Sequence, residues 1–207
     1  MLDFLENAGL GKLERALLYG CALVVVLLLI ADIALARRGL VFDYGWITFV
    51  VRWLHVLSGV MWVGLLWYFN FVQIPSMPKI PDDQKPAVSK VIAPTALFWF
   101  RHAALSTLIT GLILAHLNGY LGQALTLGLF SGGGQPAAIG IGMWLGIIMA
   151  YNVWMVIWPN QKKVLGLVEA SPDEKKAAAR TALLISRFNT MFSLPMLYFM
   201  VAAQNIY

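Results

Sequence analysis

Three histidines, His55, His102 and His116, are the side chains of this chain best suited to metal or cofactor chemistry. All three fall inside long apolar stretches. An ionisable side chain at membrane depth is costly and marks a functional position by default. Histidine is also an axial ligand of haem iron, and helix bundles build cofactor sites from side chains that face one another. His55 follows Trp46 on a stretch running inward, roughly 13 Å below that end at ~1.5 Å per residue. His116 stands on the next stretch, running back outward, roughly 9 Å below an end at Gly122 by the same rise. Two imidazoles at one depth on neighbouring antiparallel helices predict one b-type haem, with His55 and His116 as its metal ligands. Ser58 and Gly59 lie one turn from His55, and Gly111 and Gly119 flank His116. Such small residues leave room for a flat macrocycle, and they also let helices pack closely. Arg52, three residues before His55, is placed to pair with a propionate, because a guanidinium matches a carboxylate in bidentate geometry. His102, beside Arg101 near the inner end, reads as a hydrogen bonder between helices. A copper site built from all three histidines is a weaker alternative, because His102 lies at another depth.

The elements that must position these residues follow from composition. Of 207 residues, 60% are hydrophobic and 12% charged. Ordinary globular domains carry about a quarter charged residues, so a soluble fold is excluded and the chain belongs in a bilayer. A membrane-crossing helix needs ~20 mostly apolar residues. Five segments qualify: 16–36, 46–73, 96–119, 137–158 and 179–204, within one helical membrane domain, 1–207. The fold class is an all-α integral membrane protein. Ile74–Pro94, with five prolines and five charges, reads as an aqueous loop. Ser131 to Gly134 marks a second, uncharged loop. Ser171-Pro172-Asp173-Glu174 carries the signature of a capped helix start, and Pro195 is expected to kink the helix that follows.

Lysine and arginine set the orientation. Lys12, Arg15, Lys79, Lys85, Lys90, Lys162, Lys163, Lys175, Lys176 and Arg180 fall on one side. Arg37 and Arg38 fall on the other, with Arg52 slightly inside a span. The N-terminus is therefore expected in the cytoplasm and the C-terminus outside, in a bacterial inner membrane. The net charge of +5 reflects these loops, not a nucleic-acid surface. Residues 1–36 do not read as a cleaved signal, since Asp3, Glu6 and Glu14 precede an over-long apolar run. The single cysteine, Cys21, excludes disulfide frameworks and iron–sulfur clusters within the chain. No zinc-protease motif, P-loop or nucleophile elbow occurs.

Three blocks carry a family resemblance. Arg52-Trp53-Leu54-His55-Val56-Leu57-Ser58-Gly59-Val60-Met61-Trp62-Val63-Gly64, continuing to Tyr68-Phe69-Asn70-Phe71, is the first. Asn152 to Lys162 and Arg187-Phe188-Asn189-Thr190 with Ser193 to Met200 are the second and third. Together they resemble the membrane region of bacterial membrane-bound urate oxidases of the PuuD type, over roughly 46–205. The resemblance implies a helical membrane domain, urate oxidation and electrons passed to cytochrome c. It marks His55, Asn152, Asn189 and Arg187 as candidate functional positions, with Arg187, Asn189 and Asn152 as candidate catalytic residues. No haem-attachment sequence of the c type occurs here, so the expected acceptor is an external cytochrome c. Three roles stay open: electron transfer through a haem, a urate- or purine-oxidising enzyme, and an accessory subunit of a larger membrane complex.

Overall fold

The computed structural model describes residues 12–35, 43–130 and 132–207. Among them there are helices and turns and no strand. The chain separates into two units, 1–47 and 48–207. The first carries α1 (Leu13–Leu35), whose apolar side chains are exposed throughout the described part, Leu17 and Leu23 among them. Arg37, Arg38, Asp3 and Glu6, which entered the orientation and signal arguments, lie outside the described residues.

The second unit is a bundle. Its helices are α2 (Tyr44–Trp67, from residue 48 onward), α3 (Ala93–Leu117), α4 (Leu121–Leu125), α5 (Gln135–Tyr151), α6 (Trp158–Val164) and α7 (Pro172–Ala202). Trp62, Leu66, Phe69, Leu97, Phe100, Met149, Val153, Ile157 and Met196 form its main core. A smaller cluster joins Ala115, Ala124, Ala138, Ile139, Met143 and Ala203. The outside is apolar as well, with Leu57, Val60, Phe71, Ile109, Leu194 and Val201 all exposed. Inside lipid, apolar burial does not drive helices together; packing and interhelical hydrogen bonds do. The chain supplies both. Ser58 and Ser106 hydroxyls lie 2.8 Å apart, Trp67 donates to Ser193 at 3.0 Å, and Asn70 donates to Ser186 at 2.8 Å. Small residues allow close approach. At Gly140 a β-carbon would collide with the Ala124 carbonyl.

Four helical stretches are long and apolar enough to cross a membrane: Leu13–Ile30, Tyr44–Lys79, Lys85–Leu117 and Gln135–Val164. The fifth expected span corresponds to α7, 31 residues long, which is not among the four. Its length is sufficient at ~1.5 Å per residue. Arg187, Asn189, Thr190 and Ser193 lower its hydropathy, and Asn189 and Ser193 are wholly buried in the bundle. α7 runs through Pro195 as one helix.

The aqueous loop expected over Ile74–Pro94 is mostly helical instead. Helical turns carry α2 on to Lys79, and they resume at Lys85 ahead of α3. The prolines are absorbed by a repeated device. Three π-helical segments, Tyr68–Gln73, Val88–Ile92 and Asn152–Ile157, each end two residues before a proline: Pro75, Pro94 and Pro159. The residue just before each proline donates its N–H five residues back: Ile74 to Phe69, Ala93 to Val88 and Trp158 to Val153. Proline lacks an N–H and its ring crowds the carbonyl four residues earlier. Widening the preceding turn relieves that crowding without breaking the helix. At the other end, α3 stops at Leu117, short of the expected reach to Gly122. Gly119 follows with φ +76°, a conformation that ends helices.

The start of α7 is the capping box that the sequence predicts. The Ser171 hydroxyl accepts from the Glu174 N–H at 3.3 Å, and the Ser171 N–H donates to the Glu174 carboxylate at 2.7 Å. These bonds, led by the Ser171 N–H, hold the Glu174 carboxyl below the usual glutamate range. A group with a depressed folded pKa stabilises above its ordinary value, and that stabilisation disappears as pH falls through the depressed one. Ser171→Ala is expected to lower stability by about 1 kcal/mol, and Glu174→Gln to lower it near neutral pH with the difference from the parent shrinking in acid, because the bond from the Ser171 backbone N–H to the carboxylate is the one that titrates. Thermal unfolding in detergent at stepped pH measures both; equal Tm values at pH 7 would refute the role of the cap.

Candidate functional site

His55 is half-buried on α2 and faces α3. Its Nδ1 lies 3.0 Å from the Thr107 carbonyl oxygen and 3.2 Å from the Thr110 hydroxyl oxygen. A carbonyl can only accept, so Nδ1 carries the proton and donates it. The Thr110 hydroxyl spends its own proton on the Ser106 carbonyl at 2.7 Å, leaving its lone pairs for His55. In the neutral ring Nε2 is then the nitrogen with a free lone pair. A hydrogen bond from the second nitrogen is what orients a ligating imidazole.

The ring seats against α3 because residue 111 is glycine. A β-carbon at Gly111 would stand 2.8 Å from His55 Cε1 and 3.2 Å from Nδ1. The first is closer than real β-carbons come, and the second is tighter than most of their contacts. Gly59 imposes no such limit, since its β-carbon would meet only Thr107 Cγ2 at 3.9 Å.

His55 opens on a cavity of about 640 Å³ between α2, α3, α5 and α7. That volume falls within the roughly 300–1,000 Å³ typical of small-molecule and cofactor sites. Gly59, Gly64, Gly111 and Gly146 line it, with Trp62, Trp67 and several aliphatic side chains. Polar groups gather at one rim: Arg52, Tyr120, Gln204 and Asn205. Arg52 is exposed and donates to Asn118 Oδ1 at 3.3 Å. Asn118 in turn donates to the Leu114 carbonyl at 2.7 Å. Burial raises the Tyr120 phenol above its usual pKa, and the positive charge of Arg52 opposes that rise.

His116 does not join this site. It is exposed and lines no part of the cavity. Nine residues after Thr107, it points to the opposite side of α3, because nine steps at 3.6 per turn amount to two and a half turns. His55 and His116 therefore share neither a face nor a depth: the His55 ring rests against Gly111, five residues and roughly 8 Å before His116 along α3. His102 is occupied locally: Nδ1 donates to the Phe98 carbonyl at 2.7 Å, and its ring lies against Phe98 and edge-on to Trp154. Among the described residues no three His, Cys, Asp or Glu gather as a metal-binding group. The three-histidine copper alternative thus has no counterpart there.

The other candidates form a second, tighter network. Asn189 is wholly buried. Its amide donates to the Met149 carbonyl at 3.0 Å, and its oxygen accepts from Asn152 at 2.9 Å. This clamps α7 to α5 and the π turn that follows it, at a level where no water could substitute. Arg187, two residues away and so about 200° around the helix, is exposed. The structure does not bring it to Asn189, and the Asn pair leaves no opening for a substrate between them.

A smaller cavity of about 210 Å³ lies toward the other end of the bundle, lined by Phe69, Gln73, Phe100, Gln161 and Ser186, among others. The Gln73 side-chain oxygen and the neighbouring Asn70 oxygen are buried there without a hydrogen-bond partner. Sequence reading passed over Thr107, Thr110 and Gly111 as partners of His55. The threonines and glycine recur at i, i+3, i+4, which is one helix face, and that signal was available.

A family model described as urate oxidase N-terminal matches residues 120–205. That region takes in α4 to α7, including the Asn152–Asn189 clamp and the cavity walls of α5 and α7. No curated protein and no solved structure matches the chain.

The Asn189 clamp is open to test. Asn189→Ala strands the Asn152 side-chain amide and takes one of two donors from the Met149 carbonyl, and is expected to destabilise by about 1–3 kcal/mol. Asn152→Ala added to it should cost little more, because the stranded amide is then gone. Additive losses in thermal unfolding would show that the pair acts independently.

Proposed function

We propose that this urate oxidase-related membrane protein is a redox protein whose larger cavity holds one b-type haem, with His55 as an axial ligand. The single observation that carries the reading is the His55 ring, fixed through Nδ1 to Thr107 and Thr110 with Nε2 free beside a 640 Å³ cavity. The residues present fit the group. Glycine at 111 is the cradle that a β-carbon would fill. The apolar walls exclude water, and Arg52 at the rim supplies the cation that a propionate carboxylate needs. A haem held there supplies one-electron exchange at a potential set by its ligands and burial. His116 has no part in this ligand set.

The arrangement in the membrane is part of the proposal: five spans, with α7 as the fifth, the N-terminus in the cytoplasm, and the membrane the bacterial inner one. Lys79, Lys85, Lys90, Lys162 and Lys163 at one end of the bundle support that orientation. The cavity rim then lies on the outer side, where an external cytochrome c is the acceptor. A second reading, a urate- or purine-oxidising enzyme that uses the same acceptor, draws on the family match and on the inner cavity. The unpartnered oxygen of Gln73 there calls for a donor such as a ring N–H.

A reduced-minus-oxidised spectrum of the purified protein tests the main reading. A Soret band with sharp α and β bands is expected. His55→Ala should abolish it and His116→Ala should leave it intact. Gly111→Ala should lower haem occupancy, while Gly59→Ala should not. A colourless, well-folded protein would end the haem reading and leave an accessory subunit as the better account. Urate consumption dependent on added cytochrome c would establish the second reading.

A further inference from the structure

The cavity that His55 lines also carries sulfur. Of the nine methionines in the chain, three, Met143, Met196 and Met200, line the same cavity as His55. Protein ligands of haem iron come from histidine, cysteine, methionine and tyrosine. Among the cavity-lining residues that set reduces to His55, the three methionines and Tyr120. Tyr120 belongs to the rim beside Arg52, past the end of α3.

The methionines come from α5 and α7, which form one continuous wall. A β-carbon on Gly142 would stand 3.3 Å from the Met200 backbone nitrogen and 3.4 Å from the Met196 carbonyl oxygen. α5 is antiparallel to both α3 and α7. Trp154 reaches the Arg101 carbonyl near the inner end, and Asn189 reaches the Met149 carbonyl further along. α3 and α7 therefore run the same way, and depths can be counted from their outer ends. Gly111, against which His55 rests, stands six residues before Leu117; Met196 stands six residues before Ala202. Both are roughly 9 Å inside those ends. Met200 is only roughly 3 Å inside, and Met143, eight residues after Gln135, roughly 12 Å. Met196 is also 95% buried, so its thioether has no aqueous competitor.

Resting on the haem reading above, we propose that the thioether sulfur of Met196 would be the second protein ligand of the iron that His55 would hold. A methionine in place of a second histidine raises the potential of the iron. It also explains why His116 is free to face outward.

The test uses the full chain, purified with its haem, and reads the ferric spectrum and midpoint potential. The wild type is expected to be low-spin, with the far-red charge-transfer band of a thioether–iron bond. Met196→Leu should lose that band and shift to high spin with a lower potential, while the Soret band persists through His55. Met143→Leu and Met200→Leu should keep the band. Met196→His, a second variant, should stay low-spin without the band, which covers the case in which leucine impairs folding. Haem bound without the band in the wild type, or a band surviving Met196→Leu, overturns the proposal and leaves the haem reading standing. Loss of the band only in Met143→Leu or Met200→Leu overturns the assignment to Met196. A wild type without any Soret band ends the haem reading and this inference together.

Discussion

The hydrogen bond from His55 to the Thr107 carbonyl is the interaction on which the rest of the site depends. It does three things at once. It settles which nitrogen holds the proton, it turns the ring toward the cavity, and it ties α2 to α3 near their middles. None of this is possible unless the ring can lie against the backbone of α3, and Gly111 is what permits that. A buried imidazole in lipid has no water to fall back on, so its partners must come from the protein. The two threonines meet that requirement while leaving one nitrogen uncommitted.

The same constraint accounts for the inner half of the bundle. The polar side chains of α7 that lower its hydropathy are the ones that hold it in place. Ser186 and Ser193 receive Asn70 and Trp67 from the α2 side, and Asn189 engages α5 and Asn152. Each such bond contributes modestly, on average about 0.6 kcal/mol in membrane helices, but together they fix rotation as well as contact. Arg101 adds a different kind of fastening, with its guanidinium 3.7 Å from the centre of the Trp158 ring. Outer cavity and inner clamp are thus made from the same four helices, one by leaving space and the other by filling it.

Much of this was legible from residues alone. Long apolar runs gave the helices, and Ser171 with Glu174 gave the start of α7, because both signals are local. What failed was level as well as phase. The helix end expected at Gly122 falls at Leu117, so His116 stands at the end of α3, while His55 rests five residues earlier, at Gly111. Only a neighbour on the same face, such as Thr107 or Gly111, carries the rotational information. The prolines between 74 and 94 misled for a related reason. A proline is read as a breaker, whereas here the turn before it widens and the helix survives. Asn189 and Arg187 are close in sequence and carry the same family resemblance, yet they stand on opposite sides of one helix. The methionines were legible only as apolar filler, since a thioether has no distinctive spacing until its cavity is known.

The widened turns before Pro75, Pro94 and Pro159 amount to single-residue insertions that the helices have accommodated without a loop. An extra residue in one turn re-phases everything beyond it by about 100° relative to an unbroken α-helix. The inner segments of α2, α3 and α5 are therefore clocked differently from their outer segments. In α2 and α5 the widened turns begin at the polar seam, at Asn70 and Asn152, so the seam is where the two phases of each helix meet.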